Sequence, residues 1–229
     1  MSVPGALPRH PRLVSLEGGE GAGKSTALAA VRDLITGRGH EVVLTREPGG
    51  TPLAERIREL LLGGRDGLRD GATDAEPLAA ETELLLMFAA RAQHVRQVVQ
   101  PALRRGAYVV SDRFTDSSYA YQGEGRGLDR AWIADLERRA VGLQPGLTLL
   151  LDLDVREGRA RTAGRDLWPD RIESEQDDFF ERVRLGFRRR AEAEPERFRV
   201  IDAAQPPQAV GTAVAAAVAR WLDGQQGRP

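Results

Sequence analysis

Gly18-Gly19-Glu20-Gly21-Ala22-Gly23-Lys24-Ser25, near the start of the chain, fits the pattern G-x-x-x-x-G-K-[ST]. Glycines let successive backbone N–H groups turn inward around phosphate oxygens, at a helix N-terminus whose partial positive charge favours an anion. Lys24 is placed to reach the β- and γ-phosphates and the Ser25 hydroxyl to ligate Mg²⁺, with Thr26 following on the same turn. The pattern predicts a nucleoside triphosphate site. Farther on, Asp112-Arg113 closes an apolar run. That is the carboxyl end of an expected strand, where ligands gather in open parallel sheets.

These residues need a strand before the loop and a helix behind it. Leu13 to Leu16 is long enough for one buried strand, and Thr26 to Ile35 reads as an amphipathic helix. Four more short apolar runs follow: Glu41 to Leu44, Ala107 to Ser111, Leu147 to Leu151 and Phe198 to Ile201. Helical patterns alternate with them at Leu53 to Leu62, Ala79 to Val99, Ser117 to Tyr121, Val155 to Ala163, Asp177 to Ala193 and Pro207 to Leu222, and Asp129 can cap a helix reaching Val141. The alternation predicts an α/β fold with a parallel sheet covered on both faces. The segment Ala79 to Val99 has an apolar centre, Leu84 to Phe88, expected to be buried all round. The polar stretch Gly63 to Pro77 reads as a mobile loop. Residues 1–11 read as a disordered lead-in and 12–225 as a single domain, with a charged lid at about 161–175 hinged at Gly164.

A chain of 229 residues buries a sizeable core without staples. It has no cysteine, and its histidines are scattered at His10, His40 and His94, so neither a disulfide framework nor a thiolate or histidine-rich metal site is expected. His94 reads as a helix-surface residue. A net charge of −1 argues against a sequence-independent grip on nucleic acid. No stretch approaches the roughly 18 apolar residues of a membrane helix. The N-terminus lacks the apolar core of a secretory signal. A cytoplasmic protein is expected.

Several motifs in chain order narrow the reading: Thr45-Arg46-Glu47-Pro48-Gly49-Gly50-Thr51, Phe88 with Arg91, Asp112-Arg113-Phe114, Ser118 to Gln122, and the charged Arg165 to Arg171 segment before Phe179-Phe180. Together they resemble the thymidylate kinases of bacterial type, over essentially everything from Leu13 to the last helix. The resemblance implies a three-layer, doubly wound five-stranded sheet, a homodimer, and transfer of the ATP γ-phosphate to dTMP in dTTP synthesis. The acceptor is itself an oxyanion at neutral pH, so no protein base is required. Catalysis reduces to aligning two phosphates and neutralising their charge.

The resemblance gives Lys24 and Arg113 to catalysis, with Arg165 or Arg171 supplying lid charge because Gly21 occupies the loop position that carries an arginine in other members. It gives Gly18 to Thr26 and Gln205 to ATP, the last near adenine, and Ser25 with Asp112 to Mg²⁺. It gives Glu20, Glu47, Pro48, Arg58, Phe88, Arg91, Arg113, Ser118, Tyr121 and Gln122 to dTMP. Phe88 is to stack on thymine with Arg91 at its carbonyl, although the usual aromatic lies four residues before the arginine, where this chain has Met87. Tyr121 is to crowd the sugar's 2′ position, and Ser118 and Gln122 to read the pyrimidine edge. A kinase for dUMP, dCMP or AMP is the alternative. A regulatory NTP-binding module would leave the acceptor-site arginines unexplained.

Overall fold

A computed structural model describes residues 7–63, 77–162, 171–172 and 175–226. Five parallel strands, β1 (Arg9–Gly18), β2 (Val42–Arg46), β3 (Tyr108–Asp112), β4 (Gln144–Asp152) and β5 (Phe198–Asp202), lie in the order β2-β3-β1-β4-β5. The helices are α1 (Lys24–Gly37), α2 (Pro52–Leu62), α3 (Ala80–His94), α4 (Gln100–Arg104), α5 (Thr115–Ser118), α6 (Arg130–Leu136), α7 (Val155–Thr162), α8 (Asp177–Ala193) and α9 (Pro207–Gln226). Wider π-helical turns join α3 to α4 over Val95–Val99, extend α5 over Tyr119–Gly125, and extend α6 over Glu137–Val141.

The period-two alternation of strand side chains sorts the core into two faces. Val14 and Leu16 of β1, with Val110 of β3 and Leu149 of β4, pack against Val31 and Ile35 of α1 and Val214 and Val218 of α9. Leu13 and Val109 point the other way, onto Leu84 and Phe88 of α3 and Ile133 of α6. Leu150 joins a third cluster with Phe179, Val183 and Phe187 of α8. Both faces of β1 are therefore dry, which is why its sequence reads as a continuous apolar run.

The chain passes from β1 to β2 on one side of the sheet, then from β3 to β4 on the other. The resulting switch point is the crevice beyond the carboxyl ends of β1 and β3. Register sets what meets there: Leu16 pairs with Asp112, and Arg46 of β2 pairs with the same Asp112. Arg46, Asp112, Asp152 and Asp202 all lie inside strands, at their carboxyl ends. An apolar pattern stops one or two residues short of such polar ends.

Two further expectations change. β1 begins at Arg9, inside the expected lead-in, because Arg9 pairs with Gln144 and His10 with Pro145 of β4. Residues 1–6 lie outside the described residues. The centre of α3 is not buried all round: Leu84, Met87 and Phe88 are buried, whereas Leu85 is 49% exposed. Of the expected lid, only Arg161, Thr162, Arg171, Ile172 and Glu175 are described, and Gly164 falls outside, as does most of the expected loop from Gly63 to Pro77.

Candidate active site

The glycines after β1 have the backbone that a phosphate cradle needs. Gly18 and Gly21 have φ of +136° and +69°, and Gly23, the N-cap of α1, has φ +86°. A Cβ on Gly21 would strike the carbonyl of Gly158. No arginine fits there, so this loop must draw any further cation from elsewhere. The Lys24 ammonium lies across the loop and donates to the carbonyls of Gly19 (2.9 Å) and Gly18 (3.3 Å). Lys24 is the only lysine in a chain otherwise rich in arginine. A compact point charge on a flexible stem suits phosphate following, which a planar guanidinium cannot copy. Loss of water around the amine, with Arg113 nearby, pulls its pKa down to about 7.

Arg113 follows β3 with φ +69°, the one described non-glycine residue in the left-handed region. Such backbone costs on the order of 1–3 kcal/mol and persists where the surroundings enforce it. Here the Arg113 N–H donates to the carbonyl of Leu16, and the Ser111 hydroxyl donates to the carbonyl of Arg113. The turned backbone sends the guanidinium to the Gly18 carbonyl (3.1 Å), the Ser117 hydroxyl (3.2 Å) and the Tyr121 hydroxyl (3.0 Å). It thus spans the phosphate loop and the start of α5. Below it, the fully buried Glu17 accepts from the Phe114 N–H (2.7 Å) and the Ser117 hydroxyl (2.6 Å). Burial, then the nearby Asp116 carboxylate, pushes the Glu17 carboxyl up to about 8.

Asp112 Oδ1 is buried without a hydrogen-bond partner, and Asp112 and Ser25 line the same depression beside the loop. Among the described residues no group of three or more His, Cys, Asp or Glu could cage a cation. The pair fits Mg²⁺ of the kind that keeps its waters and arrives on phosphates, held by one or two protein groups.

A cavity opens beside the loop, lined by Glu20, Arg58, Met87, Arg91, Arg113 and Gln122 among others. Glu47, Pro48, Ser118 and Tyr121 complete the expected acceptor set on its wall. Arg58 donates to the Pro48 carbonyl. Arg91 is held on three sides: by Glu47 (2.5 Å), the Ser118 hydroxyl (3.0 Å) and the Phe114 carbonyl (3.2 Å). Burial would raise the Glu47 carboxyl, but Arg91 and His94 outweigh it and hold it below the usual range. At the wall's other side the Gln122 amide donates to Glu83 (2.7 Å).

Two expectations, for Phe88 and His94, are corrected by this geometry. Phe88 does not reach the cavity; its ring is buried among Leu13, Leu84 and Phe114, with the Arg91 guanidinium 4.7 Å above it. Met87 lines the cavity instead, because it stands four residues before Arg91, one helical turn away on the same face. His94 is fully buried, not on the surface, bridging Glu47 Oε1 (2.8 Å) and the Thr45 hydroxyl (2.6 Å). Arg171 donates to Glu83 (2.5 Å) and to the Leu61 carbonyl (3.0 Å) near the end of α2. Arg165 lies outside the described residues. Gln205 is exposed beyond β5 and donates to Asp202.

The model of the family described as thymidylate kinase matches residues 16–214, from the end of β1 into α9. The chain belongs to the thymidylate kinase family. It is similar to the thymidylate kinase of Alkalilimnicola ehrlichii, 54% identical over 94% of this chain and 97% of that one. It is 53% identical to that of Pseudomonas fluorescens, over 93% and 98% of the two chains. The crystal structure of thymidylate kinase from Ehrlichia chaffeensis superposes with a TM-score of 0.67 at 32% identity, covering 92% of this chain and 97% of that one. Glu17 and Glu83, buried beside the site, are the residues that motif reasoning passed over. Neither belongs to a recognisable motif, and burial is what distinguishes them from solvated acids.

Proposed function

We propose that this chain transfers the γ-phosphoryl group of ATP to dTMP, giving dTDP and ADP on the route to dTTP. The observation that carries the reading is Arg113, whose guanidinium bonds the phosphate loop at Gly18 on one side and Ser117 and Tyr121 of the acceptor cavity on the other. Such a group can hold an acceptor phosphate facing a triphosphate. An oxygen of the dTMP phosphate attacks the γ-phosphorus, the bond to the β–γ bridging oxygen breaks, and ADP leaves with that electron pair. Lys24 moves from the Gly18 and Gly19 carbonyls to the phosphates, and the loop N–H groups from Gly18 to Thr26 hold them. Ser25 and Asp112 would hold Mg²⁺, which would supply charge neutralisation between the two polyanions. With a glycine at position 21, the lid supplies the further cation through Arg165 or Arg171.

Arg91 and Gln122 meet the pyrimidine edge, Ser118 supports Arg91, Met87 lies against the ring, and Tyr121 crowds the sugar. Glu47 acts through Arg91, and Pro48, Arg58 and Glu20 close the cavity around the nucleotide. Gln205 marks where adenine rests. A homodimer is supported by Leu53 and Leu60, seven residues apart on α2, and by Leu85 of the adjoining α3, all about half exposed or more. No described helix is long and apolar enough to cross a membrane, and a cytoplasmic place of action fits both substrates.

Transfer of labelled γ-phosphate from ATP to dTMP, dUMP, dCMP and AMP tests the reading. Turnover that requires a monophosphate and favours dTMP is expected. ATP hydrolysis indifferent to the acceptor would overturn it.

A further inference from the structure

Glu83 is a fully buried carboxylate that no step of the reaction uses. It does not line the acceptor cavity, but Gln122, which does, donates its amide N–H to Glu83 Oε1 at 2.7 Å. The other oxygen of Glu83 accepts from Arg171 Nη2 (2.5 Å) and Arg126 Nε (3.2 Å), and the Arg126 guanidinium forms an ion pair with it. Burial alone would raise its pKa. Gln122, Arg171 and Arg126 together outweigh burial and keep it ionised.

An ionised carboxylate only accepts hydrogen bonds. The Gln122 atom that faces Glu83 must therefore be nitrogen, whatever the substrate. The amide cannot turn over without setting its carbonyl oxygen against a buried anion, so that oxygen remains the acceptor available to a ligand. Arg91 is fixed in the opposite sense. A guanidinium only donates, and the buried Glu47 holds it in place. The cavity wall thus carries one obligate donor, Arg91, and one amide whose polarity a second buried glutamate has set.

We infer that Glu83 is a positioning residue for base specificity, orienting the Gln122 amide so that the wall accepts pyrimidines with a carbonyl beside an N3–H and rejects those with an amino group beside a bare N3. This rests on the dTMP reading of the cavity. Thymine and uracil both present the accepted pattern, and cytosine presents its inverse. Discrimination against cytosine comes from leaving buried polar groups facing like groups. Discrimination between thymine and uracil lies outside what Glu83 controls.

The test is kcat/KM for dTMP, dUMP and dCMP in the wild-type enzyme and in Glu83→Gln. The neutral isostere can accept from or donate to Gln122, which frees the amide to turn. The dTMP-to-dCMP ratio is expected to fall by about 10- to 100-fold, with the dTMP-to-dUMP ratio unchanged. A purely structural role would lower all three alike, and an unaltered dTMP-to-dCMP ratio in folded Glu83→Gln would overturn the inference. If that variant does not fold, Gln122→Leu, which leaves the Glu83–Arg126–Arg171 cluster in place, must lower the same ratio, and a retained ratio overturns the inference. A wild-type enzyme inactive on dTMP would instead sink the reading beneath it, and the inference with it.

Discussion

Lys24 rests on the two carbonyls that flank the site of an incoming triphosphate, with its pKa drawn down to about 7 by burial and by Arg113. An anion in the cradle reverses both influences, so ATP binding near pH 8 is expected to take up a proton at this amine. Because the chain has one lysine, ¹⁵N-lysine labelling gives a single side-chain signal to titrate. A midpoint near 7 without nucleotide, moving upward with a non-hydrolysable ATP analogue, is expected. A midpoint near 10 without nucleotide would contradict the geometry. At Arg113 the expectation is kinetic: Arg113→Ala lowers kcat by about 10²- to 10³-fold, the cost typical of removing one preorganised charge-stabilising donor. Circular dichroism of that variant should match the parent, since removing a side chain whose backbone is held by Leu16 and Ser111 leaves the strand end intact.

At the scale of elements, α3 separates two neighbours that sequence alone left entangled. Met87 and Phe88 are adjacent in sequence, 100° apart around the helix, and only the packing of α3 on β1 and β3 says which one faces the cavity. Met87→Ala is expected to raise KM for dTMP by about 5-fold with little change in kcat, since a thioether on a ring is worth of order 1 kcal/mol. Phe88→Ala should instead lower unfolding stability by about 3–5 kcal/mol, read by denaturant titration, because it empties a core position. The reverse assignment of effects would put the helix in the wrong rotation. The legible parts of this protein were those fixed by local pattern: the glycine loop, the strand-helix alternation, and the Asp129 cap, whose carboxylate does accept from the Ala131 N–H. The strand ends, the buried acids Glu17 and Glu83, and His94 were not legible. A charged residue inside a polar stretch looks the same whether water or a partner from 40 residues away satisfies it, as Gln122 does for Glu83.

For the molecule as a whole, the buried acid beneath Arg113 sets a pH dependence. With its folded pKa at about 8 against an unfolded value near 4.5, Glu17 binds more protons in the folded state between those values. Its contribution to stability is therefore full below about pH 4.5 and is lost as pH rises through 8. The depressed Lys24 acts oppositely, between about 7 and 10.5, where the unfolded chain binds the extra proton and stability rises with pH. Glu17→Gln should flatten the decline in melting temperature between pH 5 and 7, and an undiminished slope in that variant would contradict the assignment. Assembly is testable on the same footing: Leu53→Glu with Leu60→Glu should yield monomers by sedimentation, whereas a persistent dimer would place the interface elsewhere. The most direct measurement is a crystal structure with a bisubstrate analogue, adenosine and thymidine joined through their 5′ positions by five phosphates. The expected density has the phosphates running from Lys24 to Arg113 and the thymine between Arg91, Gln122 and Met87. Thymine bound anywhere outside that cavity, with the loop still engaged, would contradict the assignment of this chain as a kinase for dTMP.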